Sequence, residues 1–277
     1  MRPGSSIAAQ TLRHLLLGTM ALCALCPMLW ALRLSFMSSA DMFASEFRLL
    51  PSHWIGFDNY VRALTASPLP YFLINGVIVC VAIVSAQIAV ALPCAYALAK
   101  LRFRGRGLLW SAVLIGLIVP PAALALPLFV MAAYAGLIDS YLGLILPWTI
   151  SSVAIFLFRQ AFLGVPDEIL DAARLDGLGE WELLFVVLMP MIKPAIGALT
   201  MISLVAHWND LLWPSVVVTS AAKATPPFGV MLFRTQEIGS DYGPLLAGAL
   251  LIAAPLLLVF LFTQRRFFDE FGTHADK

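Results

Sequence analysis

The sequence predicts an all-α membrane protein with six transmembrane helices, and three observations carry that prediction. Hydrophobic residues make up 61% of the 277 and charged residues only 12%, against roughly 25% charged in soluble domains. Mean hydropathy is +0.91. Several apolar runs reach the ~20 residues that a helix needs to cross a bilayer. These runs are continuously apolar and lack the ten-residue alternation of a membrane barrel. The length therefore describes one helical membrane domain with short loops, not two soluble domains. A net charge of +1 carries no nucleic-acid signal.

The first span is expected at about 15–37. Its basic flank and the small residues at 38–40 would also suit a cleaved signal peptide. Its run exceeds the usual 7–15 residues, and an even span count needs it, so an uncleaved span is expected. The second span is about 71–98 and carries Asn75 and Gln87. Both are bundle hydrogen-bonding residues first and pathway residues second. The third, about 108–134, holds Pro120, Pro121 and Pro127 and should be kinked or unwound there. Such breaks survive only where protein or a wet cavity covers the backbone. The fourth is about 142–158, the fifth about 183–206 and the sixth about 245–262. The cysteines Cys23, Cys26, Cys80 and Cys94 all fall inside these runs. Cys23 and Cys26 form a C-x-x-C without a partner pair or nearby His, which reads as ordinary small buried thiols.

Orientation follows from Lys and Arg. Eleven, including Lys100, Arg102, Arg104, Arg106, Arg159 and Arg174, fall on the side of the two termini, and five on the other. The positive-inside rule then places both termini, and the loop 159–182, in the cytoplasm.

That loop is acid-rich. Six of the 16 acids lie between residues 167 and 182. Pro166 suits a first helical turn, and Asp167 and Glu168 favour its positive end. Gly177 and Gly179 can stop the helix. About ten residues are too few for a stable helix in water, so the element must dock on something. Ile169, Ala172, Ala173 and Asp176 share an arc of about 100°. An amphipathic helix lying on lipid should carry many cations. This one has Arg174 against four acids between 167 and 176, which favours a protein partner.

No catalytic constellation is present. The chain has no G-x-x-x-x-G-K-[ST], no G-x-S-x-G and no H-x-x-x-H, and its four histidines are scattered. Residues 207–213, with His207, Trp208, Asn209, Asp210 and Trp213, combine aromatic faces with amide and carboxylate groups at the outer end of span five. That set suits a sugar, and it equally suits an aromatic belt at the headgroups. Asp210 near a span is costly unless paired or wet, which tilts the set toward function.

Asp171-Ala172-Ala173-Arg174-Leu175-Asp176-Gly177, followed by Leu188-Met189-Pro190, resembles the EAA motif of importer permeases of the ATP-binding-cassette class. The rest of the chain, from about 50 to 267, is similar to the sugar-importing branch, relatives of the second maltose permease subunit. The stretches 103–106, 119–128, 141–147 and 208–214 carry that likeness. The resemblance implies an importer-permease core at 71–267 with a coupling helix at 166–177, preceded by the first span and loop (1–70) and followed by a short tail (268–277). It implies that Asp171, Ala172, Ala173, Asp176, Gly177 and Pro190 meet an ATPase subunit. ATP–Mg would sit on that ATPase, not on this chain. The implied partners are a second permease chain, two ATPase copies and an extracytoplasmic solute-binding protein, the last facing loop 214–244, in a bacterial inner membrane. The implied cargo is a sugar or related polyol, carried past Asn75, Asn209, Asp210 and Trp213. A glycerol-3-phosphate or phosphodiester importer is the runner-up within the class. An ion-coupled secondary transporter is the alternative outside it, and it would need midplane charges and an inverted repeat. Two departures stand out: Asp171 replaces the family's Glu, and the tail lacks the maltose-type glycine-rich ending.

Overall fold

The computed structural model describes residues 7–42, 55–236 and 242–272, and among them every regular element is helical. Arg2, Arg48 and Lys277 of the charge count, the last residues of the tail and part of loop 214–244 lie outside the described residues. The chain forms two compact units, Met1–Leu69 with Phe233–Ala253, and Pro70–Leu232 with Ala254–Lys277.

In the first unit the helix Ile7–Ser35 has Pro27 inside it. Leu15, Leu16 and Leu17 stay 57–64% exposed, the pattern of a helix that faces lipid or another chain. Its C-terminal end is closed by a side chain. Asn59, on the helix Asp58–Thr65, donates to the Ser35 carbonyl (2.8 Å) and the Met37 carbonyl (3.0 Å). Carbonyls at a helix end have no partner within the helix, so this amide satisfies them. Gly243 allows the fit, since a Cβ there would lie 2.6 Å from the Asn59 amide.

The second unit is built on the helix Leu69–Lys100. Leu92, Ala95 and Tyr96 pack with Phe158, Phe162, Leu183, Leu184 and Leu188 in one core, all but Tyr96 at 0–1% exposure. Three further segments are broken. Arg106–Ile118 and Pro121–Tyr134 meet at 105°. Val119 and Pro120 between them are extended, because the ring of a proline drives the preceding residue out of the helical region. The break expected in span three is therefore a sharp turn at Pro120–Pro121, while Pro127 sits inside a continuing helix. Tyr141–Trp148 and Ser152–Leu163 meet at 43°. Ser140 and Ser151 start their helices by accepting from Gly143 N (3.0 Å) and Ala154 N (3.2 Å). Glu180–Met191 and Lys193–Trp208 meet at 77°, at the non-helical Ile192 between Pro190 and Pro194. Spans four and five, expected as single helices, are thus bent pairs. Among the described residues three helices are long and apolar enough to cross a bilayer alone, and six crossings result only if each bent pair counts as one.

Candidate functional site

The acid-rich element is a nine-residue helix, Asp167–Leu175, with Asp167 and Glu168 in its first turn. Its end is specified by two bonds. Leu178 N–H reaches the Ala173 carbonyl (3.1 Å) and Gly177 N–H the Arg174 carbonyl (3.0 Å), the paired closure that needs a left-handed residue. Gly177 supplies it with φ +87°. A Cβ there would meet nothing within 4 Å, so the requirement is conformational and not steric crowding.

Leu170 (2% exposed) and Ala173 (8%) turn into the chain's own core, with Ile169 partly buried beside them. The expected docking arc of Ile169, Ala172, Ala173 and Asp176 is corrected accordingly, because half of it packs internally. The outward face consists of Glu168, Asp171, Ala172, Leu175 and Asp176, about 140° of arc at 100° per residue. Leu175, near its middle, is 88% exposed.

Two groups from the last turns of Leu69–Lys100 brace this element. The Lys100 ammonium donates to the Val165 carbonyl (2.6 Å) and to Asp167 Oδ1 (2.5 Å). That bond and charge hold the Asp167 carboxyl below the usual carboxylate range. The buried Tyr96 hydroxyl donates to Glu180. Glu180 also accepts from Arg174 Nε at 3.0 Å, and Arg174 lies 3.6 Å from Asp171. Sequence reasoning missed Tyr96, Lys100 and Glu180 as partners of this element. Its one cue was the charge at the end of span two. Several counted cations also do structural work: Arg106 and Arg159 both donate to the Leu98 carbonyl, at 3.0 and 3.2 Å. Pro190 sits inside the helical turn Met189–Met191, two residues before the non-helical Ile192.

A second polar region lies among the broken segments. Asn75 is 3% exposed and fully engaged. It donates to the Ala222 and Ala224 carbonyls, both at 2.9 Å, and accepts from Tyr141 at 2.6 Å. Asn209 donates back to Val205 of its own helix (2.8 Å). Asp210 accepts from Trp213 N (3.2 Å) and so starts the helix Leu212–Val217. Trp213 is 3% exposed and donates to the Gly143 carbonyl (3.1 Å). Asp210 and Trp213 line a cavity of 210 Å³ with Trp148 and His207. A cavity of 460 Å³ also reaches Trp148 and His207 and adds Gln87 and Ser203. Asn75 and Asn209 line neither cavity. Sequence reasoning overlooked Trp148 and Ser203 here and did not connect Gln87 with His207. Among the described residues no cluster of His, Cys, Asp or Glu could hold a metal ion, and Cys23, Cys26, Cys80 and Cys94 are free thiols.

The family described as binding-protein-dependent transport system inner membrane component matches residues 87–267, and the chain belongs to that family. It is 40% identical over 172 residues to the arabinooligosaccharides transport system permease protein AraQ of Bacillus subtilis, a match that covers 62% of this chain and 61% of that protein. It is 32% identical over 256 residues to the diacetylchitobiose uptake system permease protein NgcG of Streptomyces coelicolor, covering 91% and 84%. It is 30% identical over 260 residues to the sn-glycerol-3-phosphate transport system permease protein UgpE of Yersinia pestis, covering 92% of each. Among solved structures it is similar to a bacterial ABC transporter involved in the import of the acidic polysaccharide alginate, with TM-score 0.81, 25% identity and coverage of 96% and 99%. The chain is an inner-membrane permease subunit of an ATP-driven, binding-protein-dependent importer. It is not an enzyme.

Proposed function

We propose that this subunit imports a sugar or related polyol, and that the outward face of Asp167–Leu175 is where an ATPase drives it. The single observation that carries the coupling assignment is the exposed Leu175 in a face of Glu168, Asp171, Ala172 and Asp176, on a helix braced from behind. An apolar side chain with acids around it suits a groove with a hydrophobic floor and a basic rim. Asp171 is a methylene shorter than the family's Glu, so its carboxylate asks for close backbone approach, which Ala172 permits. Lys100 and Tyr96 tie the helix to Leu69–Lys100, and Glu180 ties it to the segment that follows. A push on the outer face therefore moves both together.

The working assembly in this reading is a heterodimer with a second permease chain, two cytoplasmic ATPase copies that bind ATP–Mg, and an extracytoplasmic binding protein. Both termini and the acid-rich element face the cytoplasm. Support for sugar cargo comes from the relatives named for arabinooligosaccharides and diacetylchitobiose. The relative named for sn-glycerol 3-phosphate keeps the phosphate ester as a second reading.

Co-purification of the ATPase and uptake of labelled sugar, measured separately in cells that carry the complete system, test the assignment. Leu175→Asp should abolish both. Wild-type levels of both would overturn the docking face. Uptake of sn-glycerol 3-phosphate instead of neutral sugars would overturn the cargo reading alone.

A further inference from the structure

We propose that Trp148, Gln87, Ser203 and His207 form a subsite for one ring of an uncharged saccharide passing through this subunit, a refinement that rests on the sugar-importer reading above.

Gln87 lies inside the long helix and is 4% exposed, a position where an amide must be hydrogen-bonded. Its nitrogen donates to the Trp148 carbonyl at 2.9 Å, and its oxygen accepts from Ser203 at 2.8 Å. The same nitrogen lies 3.4 Å from His207 Nε2. An amide nitrogen has no lone pair to offer, so it must donate here and His207 Nε2 must accept. The proton of the neutral imidazole is then on Nδ1. Gln87 and Ser203 thus set the tautomer, and Nδ1–H is the remaining ring donor of a residue that lines both cavities.

Trp148 supplies the flat surface. Its ring centroid lies 5.5 Å from that of His207, tilted, and 6.3 Å from that of Trp213, edge-on, and the residue lines both cavities. A sugar ring has an apolar C–H face that suits an indole and peripheral hydroxyls that suit a fixed N–H donor. The 460 Å³ cavity lies in the range of about 300–1,000 Å³ usual for small-ligand sites.

Charge selects the ligand class. Among the described residues neither cavity lining contains Lys or Arg, and the one charged side chain is Asp210. An anionic cargo would lose water and find no cation in return. It would also meet a carboxylate. The sn-glycerol-3-phosphate permease and the alginate importer are named for anionic cargoes; this cleft is built for a neutral one.

The test is equilibrium binding to the complete transporter in lipid nanodiscs without the binding protein. The labelled probes are lactose, diacetylchitobiose and sn-glycerol 3-phosphate. The two neutral sugars should bind saturably and the phosphate ester should not. Trp148→Leu should weaken sugar binding at least tenfold per assembled complex. His207→Phe, which keeps the ring and loses the donor, and Gln87→Met should do the same, and they decide the matter if Trp148→Leu fails to assemble. Equal binding of the phosphate ester, or wild-type sugar binding in His207→Phe and Gln87→Met, would overturn the subsite. Neutral-sugar uptake by the complete system without saturable binding in nanodiscs would overturn the subsite and leave the importer reading standing. No neutral-sugar uptake at all would overturn both.

Discussion

The Asp167–Leu175 helix and the cleft around Trp148 are both polar sites in an apolar chain, yet they are built in opposite ways. The helix displays its charges on an exposed outer face and hides its braces, Tyr96 and Lys100, behind it. The cleft exposes no cation and spends its polar groups on one another, Gln87 on Ser203, His207 and the Trp148 carbonyl. A protein partner can supply counter-charges and a groove of its own. A small neutral cargo cannot, so its site must be prearranged from bonded groups. On the proposed assignments, recognition of a macromolecule and passage of a solute leave different marks on the same set of helices.

The largest effect should come from the outer face. Leu175→Asp should remove ATPase co-purification, while the isolated subunit melts at its usual temperature because Leu175 is 88% exposed. A lowered melting temperature would show that the side chain serves the fold. Gly177→Val should come next. A side chain at φ +87° costs roughly 1–2 kcal/mol, so ATPase association should fall by about tenfold. Tyr96→Phe should be milder and different in kind. It takes one donor from Glu180, worth about 1–2 kcal/mol to the brace. ATPase association should persist while uptake per hydrolysed ATP falls, and unchanged coupling would deny the brace a role in transmission.

The smallest effect concerns pH. The folded Asp167 carboxyl titrates below its ordinary range, through the Lys100 hydrogen bond first and its charge second. A depressed carboxylate contributes stability that is fully present above its unfolded value. That contribution is lost as pH falls through the folded value. Thermal stability should therefore be insensitive to Asp167→Asn once the pH is well below the folded carboxyl's range and only slightly lower in the variant at neutral pH, because solvent screens so exposed a pair. A difference that grows as the solution is acidified would contradict the sign.

Local chemistry was legible to the extent that it is local. The start at Pro166, the acids of the first turn and the stop at Gly177 depend on neighbours in the chain, and the helix follows them. The break in span three follows from consecutive prolines, though not its 105°. Spans four and five looked continuous because breaks of only one to three residues, at 149–151 and at Ile192, barely lower the hydropathy of a window as long as a span. Asp210 was legible as a costly charge, but its bond to Trp213 N, three residues on, makes it a helix start first.

Composition alone determined that this chain lives in a bilayer as helices, because apolar length is a one-dimensional property. Local sequence alone located the short acid-rich helix, because capping and charge act within a turn or two. Tertiary structure decided which face of that element is free, turning Ala173 inward and leaving Leu175 outside. It alone joined Tyr96 to Glu180 across 84 positions and Gln87 to Ser203 across 116. Hydrogen bonds between buried groups depend on where helices meet, and no spacing along the chain encodes that meeting.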